Sequence, residues 1–288
     1  MGVGTAIAVV TDSTAYLPDG LARELQVSVV PLYVIMGGAS GEEGIDITPD
    51  QLAAALRESR QQVSTSRPTP ISFAKIYRRC LDAGAAGVVS VHLSRELSGT
   101  WDAARLAAED VDPDRVKVID SRSAAMGLGF AVLAAAERAR AGANLDDVVR
   151  AGVDTAAATV TLFYVDTLEF LRRGGRIGAA AALLGNALAV KPLLHVVDGR
   201  IVALERVRTA SKAIARLAEV AVERAGSRLV DVAVQHLAAP ERAEAVASVL
   251  RERVPRLRRM YISEVGAVVG AHVGPGLIGV VVAPAFAP

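Results

Sequence analysis

The 288-residue chain is longer than one ordinary domain and too short for three, so its length favours two. Lys and Arg total 32 against 31 Asp and Glu, a formal net charge of +1, which supplies no general field for phosphate backbones and argues against a nucleic-acid binder. A single cysteine, Cys80, excludes an internal disulfide framework and any multi-cysteine metal site, and the four scattered histidines show no ligand spacing.

Hydrophobic residues make up 52% and aromatic residues only 4%, so the core must be built from Ala, Val and Leu. No apolar stretch approaches the roughly 20 residues of a spanning helix. The opening residues lack the charge and the apolar run of a signal peptide, so a cytoplasmic chain without a transmembrane segment is expected.

In chain order, β-branched runs at Ala6 to Thr11 and Val27 to Ile35 flank a helical pattern at Leu17 to Leu25. A helix follows at Pro49 to Glu58, with Thr48 as N-cap and Pro49 in the first turn. Then come a helix at Thr69 to Ala83, a strand at Gly87 to Leu93, a helix after Ser98, a strand at Val116 to Ile119 and helices at Ser123 to Ala141 and Leu145 to Ala156. Such alternation predicts a mostly parallel sheet with helices on both faces.

A boundary near Ala158 gives domains of 1–158 and 159–288, the second a mixed α/β domain. It opens with a strand at Thr159 to Val165. Strands at Ala189 to Val197 and Arg200 to Val207 are joined by Asp198-Gly199, a tight-hairpin dipeptide. A helix at Ala210 to Arg224, a strand at Leu229 to His236, a helix at Pro240 to Val254 and strands at Arg259 to Glu264 and Leu277 to Val282 complete it. The cluster Arg251, Arg253, Arg256, Arg258 and Arg259 reads as a solvated helix face, since Glu241, Glu244 and Glu252 lie nearby.

Ligands of open parallel sheets bind beyond the carboxyl ends of the strands. Four loops there carry clustered small polar residues: Thr11 to Thr14, Ser64 to Pro70, Ser94 to Thr100 and Asp120 to Ser123. A hydroxyl opening a helix, such as Ser98 before Gly99, suits an anion but serves equally as an ordinary cap, and the same holds for Ser13, Thr69 and Ser123. Thr65 and Ser66 are held in an extended segment by Pro68 and Pro70.

Arg172, Arg173 and Arg176 surround Gly174-Gly175, more cations than helix termination needs, and suit an anion or a partner protein. His272 falls in a loop rich in glycine and proline, whereas His92, His195 and His236 lie in or beside apolar strands as core or edge residues. Lys191 interrupts an apolar stretch and either snorkels outward or meets an acid. One alternative makes Ser98 the nucleophile, His272 its base and Asp12 or Asp120 the orienting acid of an acyl or phosphoryl-transfer enzyme. The chain lacks the G-x-S-x-G turn and the P-loop that would favour such chemistry.

Val10-Thr11-Asp12-Ser13, Thr65-Ser66, Leu97-Ser98-Gly99-Thr100, Ile119-Asp120-Ser121, Met126 to Gly129, Leu171 to Ile177, Lys191-Pro192 and His272 to Gly276 occur in an order and spacing that resemble the DegV family. That family of bacterial fatty-acid-binding proteins includes the acyl-carrier subunit of fatty acid kinase, and the resemblance covers essentially the whole chain. It implies an acyl chain buried in the N-terminal domain and a C-terminal domain closing over the head group. Thr65, Ser66, Ser98 and Gly99 are the implied carboxylate ligands, with His272 and an arginine from among Arg172, Arg173 and Arg176 close by. The expected ligand is a long-chain fatty acid such as palmitate, stearate or oleate, with no cofactor, metal or catalytic residue. The expected partner is a separate ATP-dependent fatty acid kinase that makes an acyl phosphate for phospholipid synthesis. Arg67 departs from the glutamine that family members often carry there.

Overall fold

The computed structural model describes residues 6–58, 63–183 and 191–285. The chain divides into two compact units, one from the described residues of Met1–Tyr33 and Ser66–Ala158, the other from those of Val34–Thr65 and Thr159–Ala287. These units share the boundary after Ala158 with the expected domains and group Val34–Thr65 with the second.

In the first unit, β1 (Ile7–Asp12) leads through a 3-10 turn (Ser13–Ala15) and the short α1 (Leu21–Glu24) to β2 (Ser28–Val30). The apolar run from Val27 to Ile35 is not one strand. Pro31 has no N–H for a ladder, and the Leu32 N–H turns to the Ser13 hydroxyl at 3.0 Å. The run therefore splits into β2 and β3 (Tyr33–Met36), which join different sheets.

β4 (Ala39–Glu42), α2 (Pro49–Arg57) and β5 (Val63–Ser66) follow, and the order β4-β3-β5 makes a three-stranded sheet. Thr48 and Gln51 form a reciprocal capping box at the start of α2, with Pro49 in its first turn. Two contacts within the second unit fix this excursion. Leu52 of α2 packs against Gly270, where a side chain would collide with it, and the buried Glu43 carboxylate accepts the Val268 N–H at 2.6 Å.

Returning to the first unit, α3 (Pro70–Asp82), β6 (Gly87–His92), α4 (Thr100–Val111), β7 (Val116–Asp120), α5 (Met126–Arg140) and α6 (Leu145–Ala158) complete a parallel sheet of order β2-β1-β6-β7. Phe73 and Tyr77 of α3 and the alanines of α4 cover Val10, Val88 and Val116 on one face. On the other face Gly152 lets α6 close on Ile119, and α5 lies against β1. Helices thus cover both faces, as β-strand alternation requires. α5 begins at Met126 rather than Ser123, because Arg122 and Ala125 take positive φ and interrupt the helix.

In the second unit, β8 (Val160–Tyr164), α7 (Glu169–Arg173), β9 (Lys191–Val197), β10 (Arg200–Val207), α8 (Ala210–Ala225), β11 (Val230–His236), α9 (Pro240–Arg253), β12 (Leu257–Glu264), α10 (Ala267–Val273) and β13 (Ile278–Pro284) build a sheet of order β10-β9-β8-β13-β11-β12. It is mixed, since only β11 and β12 pair in parallel. Asp198 and Gly199 both take positive φ in the β9–β10 hairpin, the backbone a two-residue turn needs. The beginning of the strand expected from Ala189 lies outside the described residues.

Two local expectations are overturned here. Of the basic cluster only Arg251 and Arg253 lie on a helix, while Arg258 sits on β12 and grips Asp231 through two bonds of 2.9 and 2.6 Å. His272 occupies the last turn of α10 rather than a loop. No helix among the described residues is long and apolar enough to cross a membrane.

Candidate functional site

The loops after β1, β6 and β7 all leave the carboxyl end of the parallel sheet, and a buried polar chain ties the first two together. The Tyr77 O–H donates to Ser90 Oγ at 2.8 Å, the Ser90 O–H to His92 Nε2 at 2.7 Å, and His92 Nδ1–H to Asp12 Oδ2 at 2.9 Å. This is the tautomer that gives every link one donor and one acceptor. Burial pushes the Tyr77 phenol above its ordinary range, with the Ser90 bond opposing it. Asp12 also accepts from the Leu93 N–H at 3.1 Å, the Thr14 N–H at 3.0 Å and the Thr14 hydroxyl. Its carboxylate therefore holds the base of the loop that carries Ser98.

The signal for this chain was in the sequence. Ser90 and His92 stand two apart in an apolar strand and so share a face.

At the end of that loop the Ser98 hydroxyl bonds the Thr100 hydroxyl at 2.9 Å and accepts the Thr100 N–H at 3.3 Å. Gly99 is the N-cap of α4 and makes no side-chain cap, so Ser98 sits one residue before the position that the capping interpretation gave it. Thr69, by contrast, caps α3. Ser66 is exposed at the end of β5, its hydroxyl 3.5 Å from the Arg67 carbonyl.

The other proposed ligands belong to the second unit. Thr65 Oγ1 lies 2.9 Å from His272 Nε2. The Nδ1 atom of His272 is buried without a hydrogen-bond partner, against Gly174, where any side chain would overlap the ring. A buried lone pair is tolerated better than an orphaned N–H. The proton is therefore assigned to Nε2, which donates to Thr65 and leaves the Thr65 O–H to donate onward.

Burial, with a smaller contribution from the Arg176 guanidinium, pushes the His272 imidazole down to about 4. Folding is thus linked to pH. Above the ordinary histidine range both states are neutral and nothing is lost. As pH falls toward 4 the unfolded chain takes up a proton that the folded chain refuses, and stability drops by roughly 3 kcal/mol across that window. Denaturant midpoints from pH 7 to 4.5 should fall less steeply in His272→Gln than in the parent. Equal slopes would contradict the assignment.

The three arginines of the Gly174-Gly175 segment differ. Arg172 and Arg173 both clasp Glu169, at 2.7 and 2.6 Å, and hold its carboxyl below the usual range. Arg173 is exposed in that pair, whereas Arg176 is part-buried, donates to the Gly174 carbonyl at 2.6 Å and bears on His272. Lys191 meets no acid side chain among the described residues but donates to the Asp166 carbonyl at 2.7 Å.

The other residues of the serine-enzyme alternative have these partners within their own units. His272 Nε2 is engaged by Thr65, Asp12 by His92, and Asp120 by the Arg122 N–H and Arg95. A serine–histidine–aspartate chain does exist at Ser90, His92 and Asp12, but all three residues are fully buried. Among the described residues no group of three or more His, Cys, Asp or Glu is placed to hold a metal ion.

The chain thus joins in sequence a parallel α/β unit with hydroxyl-bearing loops and a mixed α/β unit bearing a threonine–histidine pair. The DegV family model, described as an uncharacterised protein family, matches residues 6–285, and the chain belongs to that family. A DegV domain-containing protein of Streptomyces coelicolor is 58% identical over 276 residues, covering 96% of this chain and 98% of its own length. A fatty-acid-binding DegV family protein from Thermus thermophilus superposes with a TM-score of 0.92 at 36% identity, covering 97% of this chain and 100% of that one. DegV of Bacillus subtilis, a fatty acid binding protein, gives 0.88 at 32% identity, covering 98% and 100%.

Proposed function

We propose that this protein binds a long-chain fatty acid and holds its carboxylate by hydroxyl groups, Thr65 and Ser98 foremost, with Ser66 and Gly99 as further ligands. The observation that carries this reading is the Thr65–His272 pair. An imidazole kept neutral by burial turns the threonine into a donor, in a chain whose solved relatives at 36% and 32% identity bind fatty acids. Affinity comes mainly from the tail, roughly 0.8 kcal/mol for each methylene buried, so the head group need only be lightly held. Hydroxyl donors orient the carboxylate without neutralising it, which leaves an oxygen nucleophilic.

That oxygen is presented to a separate ATP-dependent fatty acid kinase in the cytoplasm, giving an acyl phosphate for phospholipid synthesis. Arg176 stands near the head group through His272, and the exposed Arg173 belongs to the surface offered to the kinase. The protein itself is a carrier and not the phosphorylating enzyme. Palmitate, stearate and oleate are the ligands to try first.

Denaturing the purified protein should release an acyl chain detectable by mass spectrometry, and added palmitate or oleate should raise its melting temperature. Absence of both effects would overturn the reading. Ser98→Ala and Thr65→Val should each weaken lipid retention by roughly 1 to 3 kcal/mol, the range for loss of a buried polar contact. Acyl phosphate should form from the loaded protein and ATP only when a kinase is added.

A further inference from the structure

Hydroxyl groups alone cannot tell an ionised carboxylate from a neutral lipid head, because each can donate or accept. The turn around Ser98 contains a group that can. Nearby arginines are matched by acids, Arg95 with Glu96 and Asp120, Arg105 with Glu109. Arg67 has no ion-pair partner among the described residues. Its guanidinium, though exposed, lies against backbone. Nη1 lies across the main chain of the Ser98-Gly99 turn, 3.4 Å from the Gly99 carbonyl, and a side chain at Gly99 would overlap it. A long bond to one carbonyl is a weak reason to confine so long and flexible a side chain. An anion seated at Ser98 is a better one.

We infer that Arg67 is a further head-group ligand, whose guanidinium, laid over Gly99 beside Ser98, selects ionised fatty acids against neutral lipids of the same chain length. This rests on the fatty-acid reading above and adds a specificity-determining residue to it. Arg67 is exposed, so its contribution is screened by salt and modest beside that of the tail. It acts on the charge of the ligand and not on the fold.

The test compares dissociation constants for palmitate and hexadecanol in the parent, Arg67→Gln and Arg67→Lys at low and high ionic strength. In Arg67→Gln at low salt, palmitate should bind about fivefold more weakly while hexadecanol and the melting temperature stay unchanged. Salt should narrow the gap between parent and variant, and Arg67→Lys should recover most of the loss. Unchanged palmitate affinity in Arg67→Gln overturns the inference, and so does a parallel loss for both lipids, which would mean that only the turn had been disturbed. If the parent binds neither lipid, the fatty-acid reading itself fails, a different result from a parent that binds and a variant that matches it.

Discussion

Asp12→Ala should cost roughly 3 to 5 kcal/mol of folding stability, the range for removing one partner from a buried charged network. The carboxylate is fully buried and accepts four hydrogen bonds, two from Thr14, one from His92 and one from the Leu93 N–H. Removing it leaves buried donors in the 3-10 turn and at the end of β6 without acceptors, and the His92–Ser90–Tyr77 chain loses its terminus. Asp12→Asn keeps the volume and one acceptor oxygen, so it should lose less. Urea unfolding followed by circular dichroism measures both. A cost below about 1 kcal/mol for the alanine variant would show that the loops after β1 and β6 are held by something else. Ser98→Ala on the same fold should leave the midpoint nearly unchanged, which separates holding the loop from using it.

Gly274→Ala should be the most damaging single-methyl change in the second unit, at about 3 kcal/mol or more. Gly274 follows α10 with φ 75 and ψ 169, backbone that only glycine adopts readily, and a β-carbon there would run into the Phe170 ring. The same turn abuts α7 a second time, where the His272 ring lies against Gly174. Displacing Phe170 therefore disturbs the imidazole that orients Thr65. Gly175→Ala is the control, since Gly175 has positive φ but open space around its α-carbon. It should cost only about 1 kcal/mol. Thermal unfolding of the two variants should differ severalfold, and equal shifts would remove the packing argument.

Local rules of sequence went far wherever the chemistry was local. Thr48 with Pro49 marked the start of α2, and Asp198-Gly199 marked a hairpin, because caps and tight turns depend on residues a few positions apart. Hydroxyl-rich loops were legible for the same reason. What escaped was long-range. The run from Val27 to Ile35 reads as one strand, and only pairing shows that its two halves join different sheets. α10 is seven residues of small and β-branched type without a side-chain N-cap, so it read as loop. Motif resemblance brought Thr65 and His272 into one list, but their hydrogen bond spans 207 positions and no periodicity reports it. The spacing of Glu169, four residues before Arg173 and seven before Arg176, is by contrast a local signal that distinguishes the two arginines.

The excursion of Val34–Thr65 into the second unit matters for synthesis as well as for architecture. Residues 34 to 65 leave the ribosome more than 200 positions before α10, against which Leu52 and Glu43 are fixed. At about 5 to 20 residues per second the segment waits on the order of tens of seconds with its apolar face unpartnered. For the same reason, a fragment starting at Thr159 lacks Leu52 and the Glu43 contact to α10, so the second unit is complete only when the nascent chain is nearly finished.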